Sequence, residues 1–234
     1  MWSPKTHPLV SKQPTIQLPY CNKFETIWEY EQLFLSGQID FVSFIGVHCP
    51  ICGSEDCYRA MAPYWCYAIE LFPEFKKKRI PIARFLCRKR RKTFSLLPIQ
   101  LIPYFQYTVD TVVATLLLGM ACSEMGQKGF HGASLAVDPD SLVTPWLIAC
   151  WLVTVVRGLR RGHAVLRRLY PLDGVRTLER VPGWQEVAGY SAAFGLKPKM
   201  DSYTPLMNVL GRYSRSTGRF LFGTPSQYRG SARR

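Results

Sequence analysis

Three of the chain's eight cysteines crowd into nine residues, Cys49-Pro50-Ile51-Cys52-Gly53-Ser54-Glu55-Asp56-Cys57, and a further one, Cys87, opens a basic run. Cys-x-x-Cys-Gly is the turn that aims two thiolates at one tetrahedral metal, with glycine relieving the backbone where it folds back on the sulfurs. The chemistry expected is a structural Zn2+ site with Cys49, Cys52 and Cys87 as ligands. A second Cys-x-x-Cys would close it, but Arg90 stands three residues after Cys87. Cys57 is the choice for the fourth ligand, with His48 and Cys66 as the alternatives. Apparent binding free energies of about 10 kcal/mol or more make such a metal a staple for a small β module. Cys21, Cys122 and Cys150 lie in apolar surroundings and read as small hydrophobes.

The remaining chemistry is cationic. Lys and Arg number 30 against 16 Asp and Glu, a net charge of +14. Lys76, Lys77, Lys78, Arg79, Arg84, Arg88, Lys89, Arg90, Arg91 and Lys92 flank the expected metal knuckle. Arg157, Arg160, Arg161, Arg167 and Arg168 form a second cluster. Charge of this density neutralises phosphates, so the expected partner is DNA, with RNA as the other polyanion that fits. Thiols clustered at Cys-x-x-Cys spacing, together with an opening segment, Met1 to Ser11, that is polar and proline-containing rather than a secretory signal, point to a reduced, cytoplasmic protein rather than a disulfide framework.

These residues must be positioned by an α+β chain in four stretches. Residues 1–45 read as an arm and a short helix over 26–36, with Ile27, Tyr30, Leu33 and Phe34 on one side. Residues 46–103 read as the zinc-ribbon-like β module, with β runs at 80–86 and 93–97. Residues 104–172 read as helical. Thr108 caps a helix over 109–123, a Gly-rich turn follows at 126–132, and Thr144-Pro145 starts a helix that begins apolar and ends basic. Residues 173–234 read as weakly structured, with a flexible cationic tail from Gly211.

The order Cys49-Pro50-Ile51-Cys52-Gly53, then residues 80–90 ending in Cys87-Arg88-Lys89-Arg90, then residues 93–98 and Pro103-Tyr104 before a helix, resembles the N-terminal region of transposase-like proteins of bacterial mobile elements. The likeness covers about residues 45–165. It implies a metal-bound β module followed by a helix-turn-helix that together dock on element DNA, with residues 141–151 holding the turn and the start of the recognition helix, and a separate transposase or nuclease as a partner. Arg90 departs from the pattern of the second knuckle, and the apolar run 146–156 departs from what base readout requires.

Catalysis is not expected. Phosphoryl transfer of the transposase kind needs three carboxylates holding two metals. The acids after the ribbon are Asp110, Glu124, Asp138, Asp140, Asp173, Glu179, Glu186 and Asp201, and none lies in a strand pattern that would start the necessary sheet. Asp110 reads as a first-turn helix acid, Asp138 and Asp140 as turn residues, and His131 and His163 as surface histidines. The rival class is a membrane hairpin, because the apolar stretches 111–123 and 141–156 have basic outer flanks. Both fall short of the roughly 20 residues that a span requires.

Overall fold

The computed structural model describes residues 15–17, 24–72, 74–126, 129–138, 142–172, 175, 182–197 and 203–223. Cys21, Ser141, Asp140, Asp173, Glu179, Asp201 and the tail beyond residue 223 lie outside them. The described residues form an α+β structure of seven helices and one four-stranded sheet.

The first helix, α1 (Ile27–Leu35), starts where the sequence says it must. Thr26 accepts from the Glu29 amide while Glu29 reaches back to the Thr26 amide, a reciprocal capping box. Ile27 and Tyr30 are buried against the sheet, and the Tyr30 hydroxyl donates to the Pro81 carbonyl at 3.1 Å. A short α2 (Phe41–Ile45), capped by Asp40, leads into the first cysteines.

The sheet runs in the order β1-β4-β3-β2, from β1 (Thr15–Gln17) through β4 (Lys92–Leu97) and β3 (Lys76–Cys87) to β2 (Tyr58–Glu70) at the edge. Strands β2, β3 and β4 pair antiparallel, and β1 lies parallel to β4. Both predicted β runs are present, the first of them longer than expected. The 13-residue β2 was not predicted as a strand. It carries a register shift between Met61 and Tyr64 that spans Pro63, a site where an edge strand tolerates a residue without an amide proton. Phe85 and Phe94 stack across the β3–β4 pair with centroids 5.5 Å apart, and Tyr58 meets both edge-on.

Beyond the sheet the chain is helical: α3 (Val109–Glu124), α4 (Gly129–Val137), α5 (Pro145–Leu169), α6 (Gly183–Ala193) and α7 (Thr204–Thr217). Helix α5 begins at the predicted cap, with the Thr144 hydroxyl accepting from the Leu147 amide. Thr108 stands at the start of α3, but its side chain does not cap it. The hydroxyl bonds the Ile69 carbonyl and Thr111 instead, tying α3 to the end of β2. Helix α5 is the axis of a second core, in which Ile148, Trp151, Val155 and Leu159 are buried among α3, α6 and α7. Gly158 and Gly162 let the chain approach closely. A Cβ on Gly158 would lie 2.4 Å from the Leu221 carbonyl oxygen, and one on Gly162 would lie 2.6 Å from the Leu221 side chain.

The expectation of a weakly structured end after residue 173 is corrected in its described part. Helix α7 buries Leu206, Met207, Val209, Leu210 and Tyr213 in a helical repeat, and Leu221 and Phe222 close over α5. Part of the predicted Gly-rich turn is the start of α4. His163 is not a lone surface histidine: its Nδ1 lies 2.7 Å from the Tyr190 hydroxyl. Among the described residues, no helix is long and apolar enough to cross a membrane.

Candidate metal centre

The cysteine site is built from two tight turns and one strand end. In the first turn, residues 47–56 fold back on themselves. The Cys49 amide donates to the Ser54 carbonyl at 2.9 Å and the Gly53 amide to the Cys49 carbonyl at 2.7 Å. Gly53 sits at φ +73°, the left-handed conformation that only glycine adopts without strain. The second turn joins β3 to β4. There the Arg90 amide donates to the Cys87 sulfur at 3.4 Å, and Arg91 takes the left-handed place at φ +50°. Arg90 and Arg91 thus occupy the places where a second Cys and Gly would stand.

The missing sulfur comes from Cys57, the residue just before β2. Tyr58 pairs with Cys87 across the β2–β3 ladder, and the Arg88 amide donates to the Cys57 carbonyl at 2.7 Å, so Cys57 is held beside Cys87 by the sheet itself. The ligand atoms of Cys49, Cys52, Cys57 and Cys87 all lie within 4.8 Å of one another. A metal with sulfurs about 2.3 Å away in a tetrahedron sets them roughly 3.8 Å apart. Cys57 and Cys87 are 3.7 Å apart, and Cys52 and Cys57 stand closer at 3.0 Å. All four are thiols rather than disulfides. Three are buried and Cys52 is half-buried, which leaves a closed donor set of four soft ligands.

The thiols share protons unequally. The Cys57 thiol donating to Cys52, helped by the Ser54 amide, draws Cys52 down to about 6. Burial pushes Cys57 and Cys87 up. A metal entering the site therefore displaces protons held by the buried pair. The other two candidates lie elsewhere. His48 is exposed with Nδ1 4.0 Å from Glu55, and Cys66 sits along β2, where burial raises it to about 11.

The basic residues divide where the sequence grouped them. Only Arg88, Lys89, Arg90, Arg91 and Lys92 belong to the cysteine end, all exposed on the second turn. Lys89 latches that turn to the first by donating to the Ser54 hydroxyl at 2.8 Å. Lys76, Lys77, Lys78 and Arg79 do not flank the knuckle. They lie at the opposite end of β3, and ten residues of strand from Lys77 to Cys87 span roughly 33 Å. Arg84 is half-buried between Met61 and Ser95.

Of the second cluster, two arginines serve the fold. Arg160 pairs with Glu186, whose side chain is 1% exposed, at 2.7 Å. Arg161 donates to the Leu221 and Gly223 carbonyls at 2.9 and 3.1 Å. Arg157, Arg167 and Arg168 face solvent. The acids are dispersed as well: Asp138 accepts from the Val143 amide, and Asp110 sits in the first turn of α3. Among the described residues, the four cysteines are the one group of three or more His, Cys, Asp or Glu side chains placed to hold a metal. The chain matches no family model, no curated protein and no solved structure.

Proposed function

We propose that the chain is a reduced, cytoplasmic DNA-binding protein of the transposase-like kind. Zn2+ on Cys49, Cys52, Cys57 and Cys87 staples a ribbon-like β module, and the chain itself carries no catalytic core. The observation that carries this reading is that the second ligand turn is also the cationic one. Cys87 anchors Arg88 to Lys92, so whatever fixes the sulfur fixes five positive charges in space. Zinc suits the donor set, because a closed shell of four thiolates is the structural form of that ion. Arg157, Arg167 and Arg168 add phosphate contacts from α5, and the cleavage chemistry of a mobile element would fall to a separate transposase or nuclease.

Helix α5 buries much of its first half, including Ile148 and Trp151, and Trp146 is the exposed side chain near its start. Its role in this proposal is therefore to hold phosphates rather than to read bases.

The test is elemental analysis of the full chain beside a salt titration of duplex binding. One zinc per chain is expected, with affinity falling steeply as salt rises. Replacing Lys89, Arg90 and Arg91 by Gln should flatten the log–log salt slope by about 3. A metal-free chain, or duplex binding that ignores salt, overturns the reading. Duplex RNA in a parallel titration separates the two polyanions.

A further inference from the structure

The run from Lys76 to Arg79 lies far from the cysteines, and strand alternation splits it between two faces. Lys76 and Lys78 point to one side and meet acids: Lys76 is 3.9 Å from Glu74, and Lys78 is 3.5 Å from Glu31 and over the Trp28 ring. Lys77 and Arg79 point to the other side. There the register places Tyr67 opposite Arg79, and both cations lie over the Tyr67 ring at 5.3 and 5.9 Å from its centroid. Among the described residues, neither cation stands in an ion pair with a carboxylate.

Trp65 precedes Tyr67 by two residues on the same edge strand, so both rings share the face that carries Lys77 and Arg79. Trp65 is 45% exposed and Tyr67 42%. Two large aromatic side chains held open to water on a sheet edge, with two uncompensated cations beside them, satisfy neither a core nor an ordinary solvated surface. A polymer that has both flat apolar faces and regularly spaced negative charge satisfies both. The two-residue step of a strand, about 6.8 Å, separates the rings by more than the stacking distance of a duplex and suits bases that are spread apart.

We infer that this face of β2 and β3 binds an unpaired polynucleotide strand. Bases stack on Trp65 and Tyr67, and phosphates pair with Lys77 and Arg79. The inference takes its polymer class from the nucleic-acid reading above, but it uses a different surface and a different form of the polymer. It gives the chain two separate contacts, a duplex contact at the cysteine turns and a single-strand contact at the far end of the same hairpin.

The test measures binding of the full chain to a labelled oligodeoxythymidylate of roughly 12 nucleotides, within the usual range of single-strand site sizes, beside a hairpin duplex. Trp65→Ala with Tyr67→Ala should weaken single-strand binding on the order of 10- to 100-fold while duplex binding changes less than about twofold. Trp65→Phe with Tyr67→Phe should restore most of the loss, because a ring remains to stack on. Unchanged metal content and circular dichroism exclude misfolding of the alanine variant. An oligouridylate in a further arm reports whether the strand can be RNA. The inference is overturned by single-strand affinity that ignores the alanine substitutions, by equal losses on strand and duplex, or by a phenylalanine variant as weak as the alanine one. Lys89→Gln with Arg90→Gln separates the two readings: if the wild type shows no duplex binding for it to lose, and yet the aromatic variant loses the single strand, the knuckle proposal alone has failed.

Discussion

At the cysteine end of the sheet, four sulfurs, two tight turns and a strand end converge between exposed loops. Around α5 the chain closes instead by burying Ile148, Trp151, Leu159, Tyr213 and Leu221 against glycine-lined helix surface. The first region displays polar and charged residues on its turns, from His48 and Asp56 to Arg88 and Lys92, while its sulfurs back onto the core of the sheet beside Ile51, Phe85 and Phe94. The charges on these turns stay exposed at the tips, so apolar burial there is confined to the sulfurs and Ile51. The second keeps its cations at the rim or binds them to carbonyls and to Glu186, and its stability comes from packing. A strongly basic surface can thus be built in two ways: charges set on a tight turn beside a cluster of four thiols, as after Cys87, or charges carried on the outside of a packed helix, as at Arg157, Arg167 and Arg168.

The contrast can be broken most forcefully at a sulfur. Cys87→Ser should abolish stoichiometric metal binding and melt the turns and the adjoining strand ends, because sites of this kind contribute on the order of 10 kcal/mol. The α5 core should survive. Elemental analysis should fall from one metal to near zero, while thermal unfolding retains a cooperative helical transition.

Gly158→Ala acts on the other side of the comparison. Its methyl would meet the backbone oxygen of Leu221, which has less room to yield than a side chain, so a cost of about 3 kcal/mol is expected. Denaturant titration followed by helical circular dichroism should show it, with the metal content unchanged. Loss of metal in this variant would mean that the two regions fold as one.

The smallest effect tests the seam between them. Glu70 ends β2 just where Ile69 and Leu71 enter the helical core, accepts from the Trp28 indole, and is pushed up to about 7, chiefly by burial and then by the nearby Asp110. A carboxyl whose folded value is raised keeps its proton longer in the folded state, so stability falls as pH climbs from about 4.5 to about 7. Glu70→Gln should remove that slope and leave the variant on the order of 2 kcal/mol more stable than the wild type above pH 7. Melting curves at pH 5 and pH 8 measure it.

Much of this arrangement was legible because short-range chemistry wrote it. The Thr26–Glu29 capping box, the Thr144-Pro145 start of α5 and the Cys-x-x-Cys-Gly turn each state their geometry within four or five residues. Cys57 followed from proximity in sequence, although the reason it works is a strand register that no local pattern reveals. Elsewhere charge misled. The arginines in and after α7 concealed the spacing of Leu206, Val209, Leu210 and Tyr213, which is helical once read without regard to their neighbours. Likewise, the ten cations from Lys76 to Lys92 looked like one cluster because sequence distance hides that a strand carries its two ends roughly 33 Å apart. Trp65 and Tyr67 did leave a period-two signal, but only a recognised edge strand gives that signal a face.

Arg91 adds a consequence of its own. A non-glycine residue in the left-handed region gives up on the order of 1 kcal/mol of conformational ease, and this one does so in the turn that follows Cys87. Comfort and cargo are opposed in a single dihedral. The residue that would relax the loop, glycine, is also the residue that would strip a positive charge from its tip, so the most stable version of this turn and the most highly charged one cannot be the same sequence.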